Sequence, residues 1–333
     1  MIRSSRKSLT FAGIAASLSL MAAACGGTEN SGGDGLTPAQ GDCPVAPLDV
    51  VVSVDQWGDI VSQLAGACAE VTTVLAGSSV DPHDFEPAPS DAVAFEGAQL
   101  VVVNGGHYDE WATKLAETSA PDAAVVDAVD LAGAHSDDHG HEGHEGHEGD
   151  HEGRDHSINP HVWYRPDVVT AVADAVTAKL SELSGDAAGY FSERRAEFAG
   201  SMQPYDDAVA TIRTGAAGKR YAAVEGVFDD MAAALGLANR TPPGYQAAAD
   251  NEGEPSPADL DAFLTLLSDR GVDVLIYNVQ TEGSVPEQIR AAADQAGIPV
   301  VEVTETLPPG AESFQDWQVG QLDALAEALG VGA

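Results

Sequence analysis

Three histidines stand apart from the rest of this chain, His83, His107 and His161, and two of them sit in matching settings, Asp81-Pro82-His83 and Asn159-Pro160-His161. Neutral imidazole is a common ligand for divalent metals such as zinc, copper and nickel. A proline just before it limits backbone freedom, so each Pro-His pair offers a preorganised ligand. Asp84 and Glu86 are placed to bind the second ring nitrogen of His83 and fix its tautomer, as carboxylates behind a metal-bound histidine commonly do. His107, in Asn104-Gly105-Gly106-His107-Tyr108, belongs to no such pair and is expected to be a surface or structural residue.

The other seven histidines, His135, His139, His141, His144, His147, His151 and His156, lie between the two Pro-His sites. They are interleaved with eight carboxylates and with glycines at 140, 143, 146 and 149. Glycine at that frequency opposes a helix, and no apolar side chain between Ala134 and Ile158 could seat the segment in a core. Residues 135–156 are expected to form a disordered loop that binds zinc-like ions weakly and in several arrangements, the bland alternative being a solvated insert. Catalytic zinc needs an open coordination position and a general base, often from His-Glu-x-x-His on a helix. The His-Glu runs here are confined to the glycine-rich loop, so no catalytic residue and no enzyme is expected.

At 333 residues and 44% hydrophobic composition the chain is long enough for two domains with real cores. Its N-terminus carries Arg3, Arg6 and Lys7, an apolar run from Leu9 to Ala24, and then Cys25 after three alanines. That is a secretory signal at 1–24, too short for a membrane-spanning helix, with Cys25 as the lipidation site of a bacterial lipoprotein or, alternatively, an unmodified residue after ordinary cleavage. Residues 25–44, rich in Gly, Ser and Thr, then form a flexible tether. The two remaining cysteines, Cys43 and Cys68, make an even pair in an oxidising compartment, and a disulfide between them would fasten the lead-in of the first strand to the start of the second. The formal net charge of −38 makes nucleic acid an implausible partner.

Short β-rich runs alternate with alanine-rich helical stretches, the pattern of parallel sheets covered by helices, so the class is α/β. Strands are predicted at 49–54, 70–75, 99–103 and 124–127, with helices at 56–65, 90–96, 108–119 and 166–183. These make an N-terminal lobe over 45–185. A long helix over 186–214, kinked near Pro204, links it to a C-terminal lobe over 215–333. There, strands are predicted at 219–224, 272–277 and 298–301 and helices at 226–235, 257–270, 285–296 and 314–329. Two such lobes enclose a cleft, and ligands of open parallel sheets bind beyond the carboxyl ends of the strands. His83, Glu225 and the segment 278–282 all lie at or shortly after such ends.

With these motifs in hand, the chain resembles the bacterial solute-binding proteins of ABC transporters that capture zinc or manganese. The resemblance runs from about Val50 to the C-terminus. It rests on Asp-Pro-His-Asp-Phe-Glu-Pro at 81–87, Asn104-Gly105, Asn-Pro-His-Val-Trp at 159–163, Val-Glu-Gly-Val-Phe at 224–228 with Ala-Leu-Gly-Leu at 234–237, and Gly-Ile-Pro-Val-Val at 297–301. It implies a metal held between two α/β lobes joined by a rigid long helix, with His83 and His161 as the first two ligands and Glu225 as the third. The fourth is a carboxylate after a later strand, for which Glu282 is preferred over Gln280 because an anion offsets the ion's charge. Two imidazoles and two carboxylates accept zinc or manganese. The histidine-rich loop favours zinc as cargo, with manganese the alternative. An extracytoplasmic, lipid-anchored monomer delivering metal to a membrane permease is implied; a surface metal buffer or adhesin is the other reading.

Overall fold

The computed structural model describes residues 43–77, 85–137, 159–251 and 253–332, with the side chains of 134–137 excepted. The signal segment and Cys25 lie outside the described residues. So do His83 and His139, His141, His144, His147, His151 and His156.

The first sheet is built from β1 (Leu48–Val54), β2 (Ala69–Leu75), β3 (Leu100–Val103) and β4 (Ala124–Asp127), all parallel, in the order β2-β1-β3-β4. β1 and β3 are runs of valine and leucine buried on almost every residue, the mark of strands covered on both faces by helices. The covering helices are α1 (Asp55–Ala65), α2 (Pro89–Phe95), α3 (Glu110–Ser119), α4 (Ala128–Asp137) and α5 (Pro166–Leu183). Helix α4 was not expected: its backbone carries His135 in helical geometry through Asp137, so the glycine-rich loop begins later than 135. Cys43 and Cys68 are joined by a disulfide with Cα atoms 5.0 Å apart, pinning the lead-in of β1 beside the start of β2.

Two helices, α6 (Ala188–Ser201) and α7 (Gln203–Gly215), fill the predicted linker and are separated by Met202 alone. Pro204, lacking an N–H and crowding the carbonyl four residues back, accounts for the break. Bonds from Met202 N to Phe198 O (3.1 Å) and from Asp206 N to Met202 O (3.0 Å) carry the helical path through it. Helix α6 packs on α1 and α5.

The second sheet repeats the first topology: β5 (Arg220–Ala223), β6 (Ala238–Asn239), β7 (Val274–Asn278) and β8 (Val300–Val303), parallel, in the order β6-β5-β7-β8. Its helices are α8 (Asp229–Ala234), α9 (Pro243–Ala249), α10 (Pro257–Ser268), α11 (Ser284–Ala296) and α12 (Phe314–Leu329), and α7 packs on α12. Short β6 and α9 lack the periodicity that would reveal them in sequence. Ser313 caps α12 by accepting from Asp316 N (3.1 Å), and Gly330 ends it in the left-handed conformation.

One hydrophobic cluster runs through both lobes, from Val50 and Trp57 through Tyr164 and Phe228 to Trp317 and Leu322. Tyr164 stacks edge-on against Phe228 (5.1 Å) and Trp317 (6.0 Å), and its hydroxyl lies 2.7 Å from Thr304 O and 2.9 Å from Gln321 Oε1. A shared core of this kind holds the two lobes as one body rather than as freely hinged domains.

Candidate metal centre

In each sheet the central pair of strands, β1 with β3 and β5 with β7, is where the chain reverses its winding direction, so a crevice opens at their carboxyl ends. Glu225 is the second residue after β5 and Glu305 the second after β8, while Asn278 is the last residue of β7. From the first lobe, His161 sits at the head of a 3-10 turn (Val162–Tyr164) that leads into α5. One ligand atom from each of His161, Glu225 and Glu305 lies within 4.8 Å of the others.

His161 is 5% exposed and walled by Trp163 (ring centroids 5.3 Å apart) and Tyr108 (6.0 Å). Its Nδ1 lies 2.7 Å from Asn159 Oδ1, and Asn159 Nδ2 donates to Gly226 O at 2.8 Å. Because the amide nitrogen of Asn159 is committed to a carbonyl, its oxygen faces the ring and takes the Nδ1 proton. That leaves Nε2 as the acceptor lone pair, 3.6 Å from Glu305 Oε2. The backbone of His161 is held as well, since Asn104 Nδ2 donates to Pro160 O at 2.9 Å. Asn104 in turn accepts from Trp57 Nε1 (2.9 Å), and its backbone N and that of Gly105 donate to buried Asp109 (2.7 and 2.8 Å). Gly105 has φ 85°, and a Cβ there would fall 2.0 Å from Asp127 Oδ1, so only glycine fits.

The two carboxylates come from the second lobe. Glu305 is fully buried, with its backbone N donating to Gln280 Oε1 at 2.8 Å. Asn278 Nδ2 donates to Glu225 Oε2 (3.0 Å) and to Glu305 Oε1 (2.8 Å), setting the acids side by side. A neutral imidazole nitrogen facing two carboxylates is a donor set that a divalent cation matches in charge. Holding a fully buried acid beside a half-buried one is unfavourable without a cation between them.

Of the residues predicted from sequence, the structure brings together His161 and Glu225. It does not bring Glu282 to them: that side chain is exposed, between β7 and the glycine that starts α11. Gln280 is a brace, since its Oε1 takes the backbone N–H groups of Glu305 and Thr306. Glu305 carries no motif of its own. The one signal for it is its position two residues past a strand end, which matches that of Glu225. His107 is a surface residue, 2.8 Å from Glu110 and 89% exposed at its side chain, while Trp57 and Trp163 are fully buried packing residues.

Parallel sheets paired across a buried His and Glu cluster are the arrangement of a two-lobed solute receptor that takes a metal ion. The chain belongs to the family described as zinc-uptake complex component A, periplasmic, whose match spans residues 50–328. This is a family of extracytoplasmic solute-binding receptors that work with an ABC transporter permease, not of enzymes. The chain is 27% identical over 314 residues to the high-affinity zinc uptake system protein ZnuA of Bacillus subtilis, covering 93% of this chain and 92% of that one. It is 32% identical over 121 residues to the manganese-binding lipoprotein MntA of Halalkalibacterium halodurans, covering 36% and 37%. Its fold is that of the periplasmic zinc-binding protein TroA from Treponema pallidum, with a TM-score of 0.67 at 17% identity over 86% of this chain and 99% of that one.

Asn159→Ala should weaken metal binding by about 10- to 100-fold, because it removes the group that fixes the His161 tautomer, and should lower the melting temperature of the metal-free protein modestly through the lost bond to Gly226 O. Titration with a competing chelator measures it; an unchanged affinity would count against that role.

Burial pushes the carboxyls of Asp127 and Asp229 up from 3.8 to about 6, with neighbouring acids adding to the rise, Asp130 and Asp109 for the first and Asp250 and Asp230 for the second. A carboxyl raised in the folded state contributes stability that is full below about 4 and is lost as pH rises through about 6. Asp273, lowered by its hydrogen bond from Arg220, acts only below about 4. The metal-free protein should therefore melt higher at pH 5 than at pH 7.5, and Asp127→Asn should shrink the difference. Calorimetry in the presence of chelator would contradict this if the melting temperature fell across that interval.

Proposed function

We propose that this chain captures zinc between its lobes and delivers it to a membrane permease, with His83, His161, Glu225 and Glu305 as the ligands. The observation that carries the reading is the convergence of His161, Glu225 and Glu305 from two lobes onto one point. His83, which lies outside the described residues, is the fourth donor on the strength of its Pro82-His83 motif and raises the nitrogen count to two. Manganese is the second reading, favoured by the two carboxylates and by the manganese-binding relative. Zinc is preferred because divalent affinities for nitrogen-containing sites rise well above manganese at zinc, and because His139 to His156 form a tract that zinc binds and manganese binds poorly. A lipid on Cys25 with a short tether would hold the receptor, as a monomer, at the outer face of the cell membrane.

The test is metal titration of chelator-stripped protein, read by competition with a chromophoric chelator. One tight zinc equivalent per chain is expected, with weaker equivalents that disappear when residues 135–156 are deleted. If that deletion abolished the tight equivalent while His161→Ala kept it, the reading would fall. A strain lacking the gene should grow poorly when zinc is limiting; normal growth and uptake would favour a surface buffer instead.

A further inference from the structure

The hydrogen bonds behind the two carboxylates restrict how each can ligate. Both amide hydrogens of Asn278 are committed, one to Glu225 Oε2 and one to Glu305 Oε1. The orientation of that amide is fixed by its oxygen, which accepts from Gln280 N at 3.0 Å. Thr281 Oγ1 donates to the same Oε2 of Glu225. A carboxylate oxygen has two lone-pair positions, so Glu225 Oε2 is fully used by protein donors. Chelating a metal through both oxygens of Glu225 would break one of these charge-assisted bonds in a half-buried site. In Glu305, Oε1 carries the bond from Asn278, and Oε2 is the oxygen turned to His161 Nε2.

Zinc is satisfied by four donors in a tetrahedron, whereas manganese favours an oxygen-rich octahedron. A carboxylate that chelates through both oxygens is the simplest way for a four-residue site to reach the higher number. Resting on the reading that the cleft takes a transported divalent metal, we propose that Asn278 and Thr281 are positioning residues that determine metal specificity. They hold Glu225 as a one-oxygen ligand, keep the coordination number low and so favour zinc over manganese. Neither residue touches the ion, and both act through the acids.

Thr281→Val removes one donor with little change of volume, and Asn278→Ala removes two. Zinc and manganese affinities would be measured on chelator-stripped full-length protein, together with the visible absorption of the Co2+-loaded form, which is intense for four-coordinate and weak for six-coordinate cobalt. In Thr281→Val the ratio of zinc to manganese affinity should fall roughly tenfold or more, the size expected for losing a hydrogen bond to a charged group. The cobalt bands should weaken, and Thr281→Ser should reverse both changes. An unchanged ratio with unchanged cobalt bands, or an equal loss of both metals, overturns the proposal. Since Asn278 is buried, a poorly folded alanine variant would leave Thr281→Val to decide. A wild-type protein that bound neither ion tightly would overturn the functional reading itself, a result separable from failure of the valine variant in a protein that binds zinc.

Discussion

Glu305→Ala should remove the tight metal equivalent, while Glu282→Ala should leave it in place. The expectation follows from position: Glu305 is fully buried and 3.6 Å from His161 Nε2, while Glu282 faces solvent. Structural zinc sites bind with about 10–16 kcal/mol shared among four ligands, so losing one should weaken binding on the order of 10² to 10³-fold. His161→Ala should match it. Glu305→Gln separates charge from shape, because it keeps the length of the side chain and loses the anion. The competition titration that measures the wild type also measures these variants. Equal losses in Glu305→Ala and Glu282→Ala, or a loss in the second alone, would return the fourth ligand to the loop after β7.

Removing the disulfide should have the largest effect on stability. Cys43 and Cys68 close a loop with a sequence separation of 25, and a cross-link of that span restricts the unfolded chain by about 3.5 kcal/mol. Paired Cys43→Ser and Cys68→Ser substitutions should therefore lower the melting temperature on the order of 10 °C. The folded geometry at the metal site should be little altered, because the disulfide lies at the amino end of β1 and the cleft opens at the carboxyl ends. Calorimetry with metal titration on the same variant checks both parts. A large loss of metal affinity without a loss of stability would show that the cross-link matters to the site and not to the fold.

Much of the architecture is legible along the chain because both sheets are parallel and buried. Their central strands are runs of valine and leucine, and the amphipathic helices between them carry a clear period, so nearly every strand and long helix lies within a few residues of its predicted place. Strand β6 and helix α9 were not legible, because so short an element contributes too few residues to show a period, and ten-residue α4 was missed because its sequence carries only a weak apolar period and runs into the glycine-rich segment. At the site, Pro160-His161 and Val224-Glu225 are local patterns that announce themselves.

Which carboxylate joins them is not a local matter. Segment 278–282 contains a glutamate after a strand, and so does the segment after β8; along the chain the two are equivalent. The order β5-β7-β8 places both strand ends beside Glu225, and Gln280 then decides between them by binding the backbone of Glu305 and Thr306. In the same way, the tautomer of His161 depends on a carbonyl 67 residues from Asn159, and the mode of ligation open to Glu225 depends on donors 53 and 56 residues away. The fold class and the disulfide pair were therefore legible along the chain, because periodicity and an even cysteine count are properties of short stretches. That Glu305 rather than Glu282 lies with His161 and Glu225 is visible only in three dimensions, because it is set by hydrogen bonds between loops that the sheet order alone brings together.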